Sequence, residues 1–183
     1  MKDGSAYSLY YFVQDSATEY IDAINNAAAQ LSGQTNVYDI LVPNNSGVLL
    51  SDDELDKLGG SDQKQAIEYY YGMMNGVKTV DIFDTLKAHK DEYIFFRTDH
   101  HWTADGAYYA YEDFCKTKGI TAIPRDKRKT DTFKGFLGSF YSTLQNSDMK
   151  NNPDTIYAYE PIGTNDMTCL LYTSPSPRDR SLS

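Results

Sequence analysis

Several things are scarce in this chain, and each scarcity closes off a class of protein. No run of about 18 apolar residues occurs, so the sequence offers no membrane-spanning helix. Only two cysteines are present, Cys115 and Cys169, with no Cys-x-x-Cys pair and no histidine at ligand spacing. That excludes a disulfide framework and a zinc site. Basic residues are outnumbered, 17 Lys and Arg against 26 Asp and Glu, for a net charge of −9. With no basic stripe to neutralise phosphates, no nucleic-acid partner is expected. The one cluster, Arg125-Asp126-Lys127-Arg128-Lys129, is short and interrupted, and reads as a solvated loop. Nor do the first residues, Met1-Lys2-Asp3-Gly4-Ser5, contain an apolar signal region, which taken alone says cytoplasmic if Met1 is the true start.

What remains is a chain of one-domain length, 183 residues, 40% apolar and 14% aromatic, able to bury a core. Sixteen tyrosines stand against one tryptophan. They read first as half-buried strand and helix faces. The other reading is a surface that stacks on sugar rings.

Helices and strands alternate along the chain. Ser16-x-x-Glu19 has the form of a capping box, followed by an apolar face of Tyr20, Ile21, Ile24, Ala27, Ala28 and Leu31, with Gly33 as the stop. Residues 37–42 read as a strand ended by Pro43, and Asn44-Asn45-Ser46-Gly47 as a turn-rich loop at its carboxyl end. Helices are expected over about 51–58 and 61–74, a second strand over 77–82, a short helix around 85–89 and a third strand over 93–97. After Thr103, a plausible N-cap, Ala107, Tyr108, Tyr111, Phe114 and Cys115 form a core-facing stripe closed by Gly119. Cys115 at that spacing is a core residue, not a nucleophile. This alternation implies parallel βαβ units in a three-layer α/β/α sandwich with a mostly parallel sheet. Functional residues then collect outside the carboxyl ends of strands, a condition met by 43–47 and by 99–101. From Thr130 the periodicity weakens, and Phe133 to Tyr141 reads as a glycine-punctuated extended or loop segment. Ser139 within it follows Gly138, but it lacks the Gly-x-Ser-x-Gly elbow and an expected following helix.

Two of the three histidines fall in Thr98-Asp99-His100-His101-Trp102-Thr103. In an extended backbone residues i and i+2 share a side. Asp99 is therefore expected to orient His101, with His100 pointing the other way. A carboxylate that fixes an imidazole's tautomer and stabilises its charged form is the arrangement for proton transfer near neutral pH. The plainer reading of the same pair is a hydrogen bond that only fixes the loop. His100, Trp102 and Thr103 are supporting residues, Trp102 as a packing anchor under the His101 loop, and His89 is expected to be exposed on a short polar helix.

The stretch from Tyr93 to Phe114, with its Asp-His-His-Trp-Thr string, closely resembles the bacterial DHHW protein family. That family is related to the SGNH-hydrolase-like proteins of alginate O-acetylation, which share Asp-x-His-Trp-Thr. The flanks 84–90 and 135–141 and the Val42-Pro43 pair are similar too, so the resemblance covers roughly residues 15 to 168. It implies an SGNH-like α/β/α fold and a Ser-His-Asp triad acting on acyl esters, with Asp99 and His101 matching the family's Asp and His. It further implies an O-acetyltransferase or esterase acting on extracellular or cell-surface polysaccharide, with an acetylated glycan or acyl donor and a membrane-bound O-acyltransferase as partners, and no cofactor or metal. In such proteins the nucleophile lies in a Gly-Asp-Ser-like motif well downstream, and no Gly-Asp-Ser occurs here. The last fifteen residues, Cys169 to Ser183, break with the preceding composition and resemble translated sequencing-adaptor read-through. The expectation is a truncated domain over 1–168 with a non-native or disordered tail over 169–183, the fragment itself being inactive. A Pro/Ser-rich linker is the other reading of that tail.

Two further readings stay open. The chain is a glycan-binding module if the nucleophile is absent from the full gene. Asp-His-His is also similar to the manganese site of the DHH phosphoesterases, which needs further Asp ligands from earlier strands. Asp39 and Asp81 lie suitably, but no Asp-x-Asp follows either.

Overall fold

The computed structural model describes residues 4–160. Helix α1 (Gln14–Gln30) is alanine-rich, which favours helix, and it turns Ala17, Ile21 and Ala28 inward. It begins two residues before Ser16, with Val13 at the cap and no side-chain cap bond, so the expected capping box does not start it. A parallel pair follows, β1 (Val37–Asp39) against β2 (Val77–Thr79), with Val37 opposite Val77.

Between these strands lie α2 (Asn45–Leu49), α3 (Asp52–Leu58) and α4 (Gln63–Met73). The helix at α2 corrects the loop read from Asn44 to Gly47. Its turn-forming residues are overruled by tertiary bonds, because Lys87 Nζ donates to the carbonyls of Gly47 and Leu50 at 3.0 Å each. A cation at carbonyls near a helix's carboxyl end is the favourable placement. At α3, by contrast, local signals suffice. The Ser51 N–H donates to the Glu54 carboxylate at 2.9 Å, and Gly59 closes the helix at φ 72°. Asp62 caps α4 by accepting from the N–H groups of Lys64 and Gln65.

Helix α5 (Phe83–Ala88) leads to a loop and then to α6 (Ala104–Lys118), capped by Thr103 and ended by Gly119. Strand β3 (Thr130–Phe136) pairs antiparallel with β4 (Asp154–Tyr159), and α7 (Ser139–Leu144) and α8 (Ser147–Asn151) lie between them. The core joins Val48, Val80, Ile82, Leu86, Ile94, Phe95, Tyr109 and Ala110, with Trp102 and Phe114 packed against it. On α6 the buried residues are Gly106, Tyr109, Ala110 and Cys115, and Tyr108 and Phe114 of the expected stripe pack against the core beside them.

Among the described residues the sheets are one parallel pair and one antiparallel pair. The described residues thus form a mixed α/β structure, with no continuous parallel sheet among them. The expected third strand over 93–97 is instead a loop with one bridge, Phe95 to Trp102. Arg125 is not a solvated loop residue either. It pairs with Asp105 at 2.8 Å and lies over the rings of Tyr108 and Tyr109. His89 is half-buried, stacked on Tyr109 at 3.8 Å and bonded to Glu92. The chain from 161 to 183 lies outside the described residues, and with it the expectation about the tail.

Candidate functional site

The loop from Tyr93 to Thr103 doubles back on itself. The Phe96 N–H donates to His101 O at 3.2 Å, and the Thr103 N–H to Ile94 O at 2.9 Å. Thr103 then serves two elements, its hydroxyl donating to Tyr93 O at 2.7 Å and accepting from the Gly106 N–H at 3.4 Å. Helix α6 sits so close that a Cβ on Gly106 would lie 2.5 Å from Ile94 O. Trp102 closes the loop against the core.

The outer half of the loop is held by a residue from the other end of the domain. Asp154, the first residue of β4, is fully buried. Its carboxylate accepts from the Thr98 hydroxyl at 2.6 Å, the Thr98 N–H at 2.7 Å, the Arg97 N–H at 3.2 Å and the Tyr93 hydroxyl at 2.5 Å. Thr98 in turn positions the start of α7. Its hydroxyl accepts from the Gly138 N–H at 3.1 Å, and its carbonyl from the Tyr141 N–H at 3.2 Å. Strand β4 therefore fixes the loop, and the loop fixes α7.

Asp99 is buried between them and uses both oxygens. Oδ1 accepts from the His101 N–H at 2.9 Å and faces His101 Nδ1 at 2.6 Å, while Oδ2 accepts from the Ser139 N–H at 2.8 Å. Burial pushes the Asp99 carboxyl up, but the N–H groups of Ser139 and His101 and the His101 ring outweigh it and hold the group at about 2, from an ordinary 3.8. The ionised carboxylate therefore contributes about 2 kcal/mol of stability. That contribution is complete above pH 4 and is lost as the pH falls toward 2. Urea unfolding between pH 2 and pH 6 should show this acid limb, and Asp99→Asn should flatten it.

The structure brings Asp99 and His101 together through a tight bend, not an extended strand. The opposed orientation expected for His100 is corrected for the same reason. Its ring lies beside that of His101, centroids 3.8 Å apart and planes tilted by 37°, and its Nδ1 lies 2.6 Å from Ser139 Oγ. The His101 side chain is 66% exposed. Its Nδ1 is engaged by Asp99, and among the described residues no hydroxyl is bonded to its Nε2. Ser139 does begin a helix, contrary to the sequence expectation, yet its hydroxyl meets His100. Ser46 is fully buried and donates to Ser8 O, while the Ser142 hydroxyl donates to Gly138 O.

Ligand-capable atoms of Asp99, His100 and His101 lie within 4.8 Å of one another. Asp99 serves three N–H groups and His100 Nδ1 meets Ser139, while Nε2 of each ring has no partner among the described residues. Asp39 accepts from the Tyr20 hydroxyl, and Asp81 accepts from the Phe83 N–H. Neither Asp39 nor Asp81 joins this group, so the described residues do not supply the further Asp ligands that the manganese reading needs. Sequence reasoning missed Asp154 and Gly138. Asp154 follows Pro153 and looks like an ordinary turn residue. The only signal for Gly138 was its place beside Ser139.

The DHHW protein family model matches residues 1–173. A solved DHHW family protein from Eubacterium siraeum is 33% identical, with a TM-score of 0.75 over 83% of this chain and 50% of its own. PatB1 of Bacillus cereus is 20% identical with a TM-score of 0.65, over 85% of this chain and 55% of its own. The O-acetyltransferase domain of Pseudomonas putida AlgJ is 17% identical with a TM-score of 0.50, over 83% of this chain and 60% of its own. No curated protein matches the sequence. The chain spans about half the length of the solved DHHW protein. With the family model covering nearly the whole sequence, the chain belongs to the DHHW protein family.

Proposed function

We propose that this chain is part of an SGNH-like enzyme that moves acetyl groups on or off an extracellular polysaccharide. The observation that carries the reading is Asp99 Oδ1 at 2.6 Å from His101 Nδ1, with the rest of the imidazole exposed. A carboxylate on Nδ1 leaves Nε2 as the basic atom. A serine hydroxyl placed there gives its proton to Nε2 as its oxygen attacks the acetyl carbonyl carbon. The tetrahedral intermediate collapses, the C–O bond to the leaving alcohol breaks, and His101 returns the proton to that oxygen. A sugar hydroxyl or water then takes the acetyl group from the serine by the same steps in reverse. Asp99 stays ionised throughout and stabilises the imidazolium.

That serine belongs to the part of the longer protein that the chain does not span. The same part would complete the layered α/β/α sandwich around β1 and β2. A membrane-bound O-acyltransferase is the proposed acetyl source, and the cell surface the proposed location. The fold likeness to an O-acetyltransferase domain supports the reading.

Acetyl-ester turnover tests it. The longer protein should turn over p-nitrophenyl acetate and lose about 10²-fold or more on His101→Ala, the scale of a general base. The 183-residue chain should show none. Turnover by the short chain that vanishes with Ser139→Ala would transfer the nucleophile's role to Ser139.

A further inference from the structure

The loop after β1 is left unused by the Asp99–His101 chemistry, and a cleft opens beside it. Its volume is about 310 Å³, and its walls include Tyr10, Tyr20, Tyr70, Pro43, Asn44 and Gln63. Three tyrosines in one cleft give flat apolar faces with hydroxyl edges. The rings are already held in place. Tyr20 packs edge-on to Tyr70 at 5.7 Å and its hydroxyl donates to Asp39. Buried Gln63 is pinned as well, its Oε1 accepting from the Asn44 N–H at 2.7 Å and its Nε2 donating to Ser46 Oγ at 3.1 Å. The Asn44 carboxamide, by contrast, has no partner among the described residues, although it stands half-buried at the cleft.

Preformed aromatic faces beside a spare amide suit a pyranose ring, whose C–H face stacks while its hydroxyls take hydrogen bonds. Charge narrows the choice. The lining contains no Lys or Arg, and buried Asp39 lies directly behind Tyr20. With a net charge of −9 over the chain, a polyuronate would be repelled.

A strap of chain joins this cleft to the catalytic loop. The Ala6 N–H donates to Arg97 O, Ser8 is held by Asn45 and Ser46, and Tyr10 O accepts from the Ser61 N–H. Ala6 is thus bonded to the loop two residues before Asp99, and Tyr10 is in the cleft. Four residues of chain reach at most about 14 Å.

We infer that the cleft between Tyr10, Tyr20, Tyr70 and Asn44 is a subsite for an uncharged sugar ring of the glycan. This rests on the proposed polysaccharide substrate and adds its charge class and its place of binding. Isothermal titration of the 183-residue chain with hexamers of β-1,4-linked N-acetylglucosamine, β-1,4-linked glucose and mannuronate tests it. A neutral hexamer should bind, and mannuronate should bind at least tenfold more weakly. Tyr10→Ala should weaken the neutral hexamer about tenfold. Asn44→Ala, which breaks no side-chain bond among the described residues, should weaken it about fivefold with an unchanged circular dichroism spectrum. His101→Ala should leave binding intact, so loss of turnover and loss of binding report on different proposals. Equal or tighter binding of mannuronate, no binding of either neutral hexamer at millimolar concentration, or unchanged affinity in both cleft variants would overturn the assignment.

Discussion

Asp154→Ala is expected to destabilise the chain by about 3–5 kcal/mol, the range for removing one partner from a buried charged network. The carboxylate is fully buried and is the acceptor for two backbone N–H groups and two hydroxyls from Tyr93, Arg97 and Thr98. Alanine fills none of that space with an acceptor. Each orphaned buried donor then carries its own desolvation penalty of about 1–3 kcal/mol, partly relieved if water enters. The Arg97 guanidinium, 3.4 Å from Asp154 Oδ1, loses its counter-charge as well. Asp154→Asn keeps the volume but turns an N–H toward groups that already donate, so it should fall between wild type and alanine. Urea denaturation at pH 7 measures the ordering. A loss below 1 kcal/mol in the alanine variant would mean that the Tyr93–Thr98 loop is held by something else.

That residue also shows where the sequence stops being informative. The helices at α1, α3, α4 and α6 could be read because periodicity and stop signals lie within a dozen residues of each other. Glycine at positions 33, 59 and 119 adopts φ 72–76°, as a helix stop requires. The segment Tyr93-Ile94-Phe95-Phe96-Arg97 could not be read so. A short apolar run looks the same whether its backbone pairs with a strand or with side chains. Here the Arg97 and Thr98 N–H groups go to Asp154 and the Tyr93 carbonyl to the Thr103 hydroxyl, partners that no local pattern announces. Helix α2 fails to show for a similar reason, since Asn45, Ser46 and Gly47 are turn residues made helical by contacts with Ala6, Ser8 and Lys87. The Asp99–His101 pair was legible because two residues apart is a local relation. The bend that joins them, and the packing of His100 beside His101, depend on α7 and β4, more than 35 residues away in sequence.

Gly138→Ala is expected to cost about 3–5 kcal/mol and to lower acetyl-ester turnover of the longer protein by 10² or more. A Cβ at this position would lie 2.3 Å from Asp99 Cβ and 2.4 Å from Asp99 Oδ2. No rotamer of Asp99 relieves the first of these, because Cβ is fixed by the backbone. Either α7 or the Tyr93–Thr103 loop must move, and overpacking of this kind costs about 1–3 kcal/mol. Movement also lengthens the bond from the Ser139 N–H to Asp99 Oδ2, 2.8 Å in the structure, and the bond from the Gly138 N–H to Thr98. A buried hydrogen bond to a charged group adds about 1.5–3 kcal/mol. Freed from Ser139, Asp99 no longer holds His101 in one orientation, and positioning errors of about 1 Å are worth 10²-fold in rate. Gly135 supplies the control. It sits at φ 85° with nothing within 4 Å of a built Cβ, so Gly135→Ala should show only backbone strain, about 1–2 kcal/mol. Turnover unchanged by Gly138→Ala, in a protein that still melts cooperatively, would show that Asp99 keeps its grip on His101 without α7.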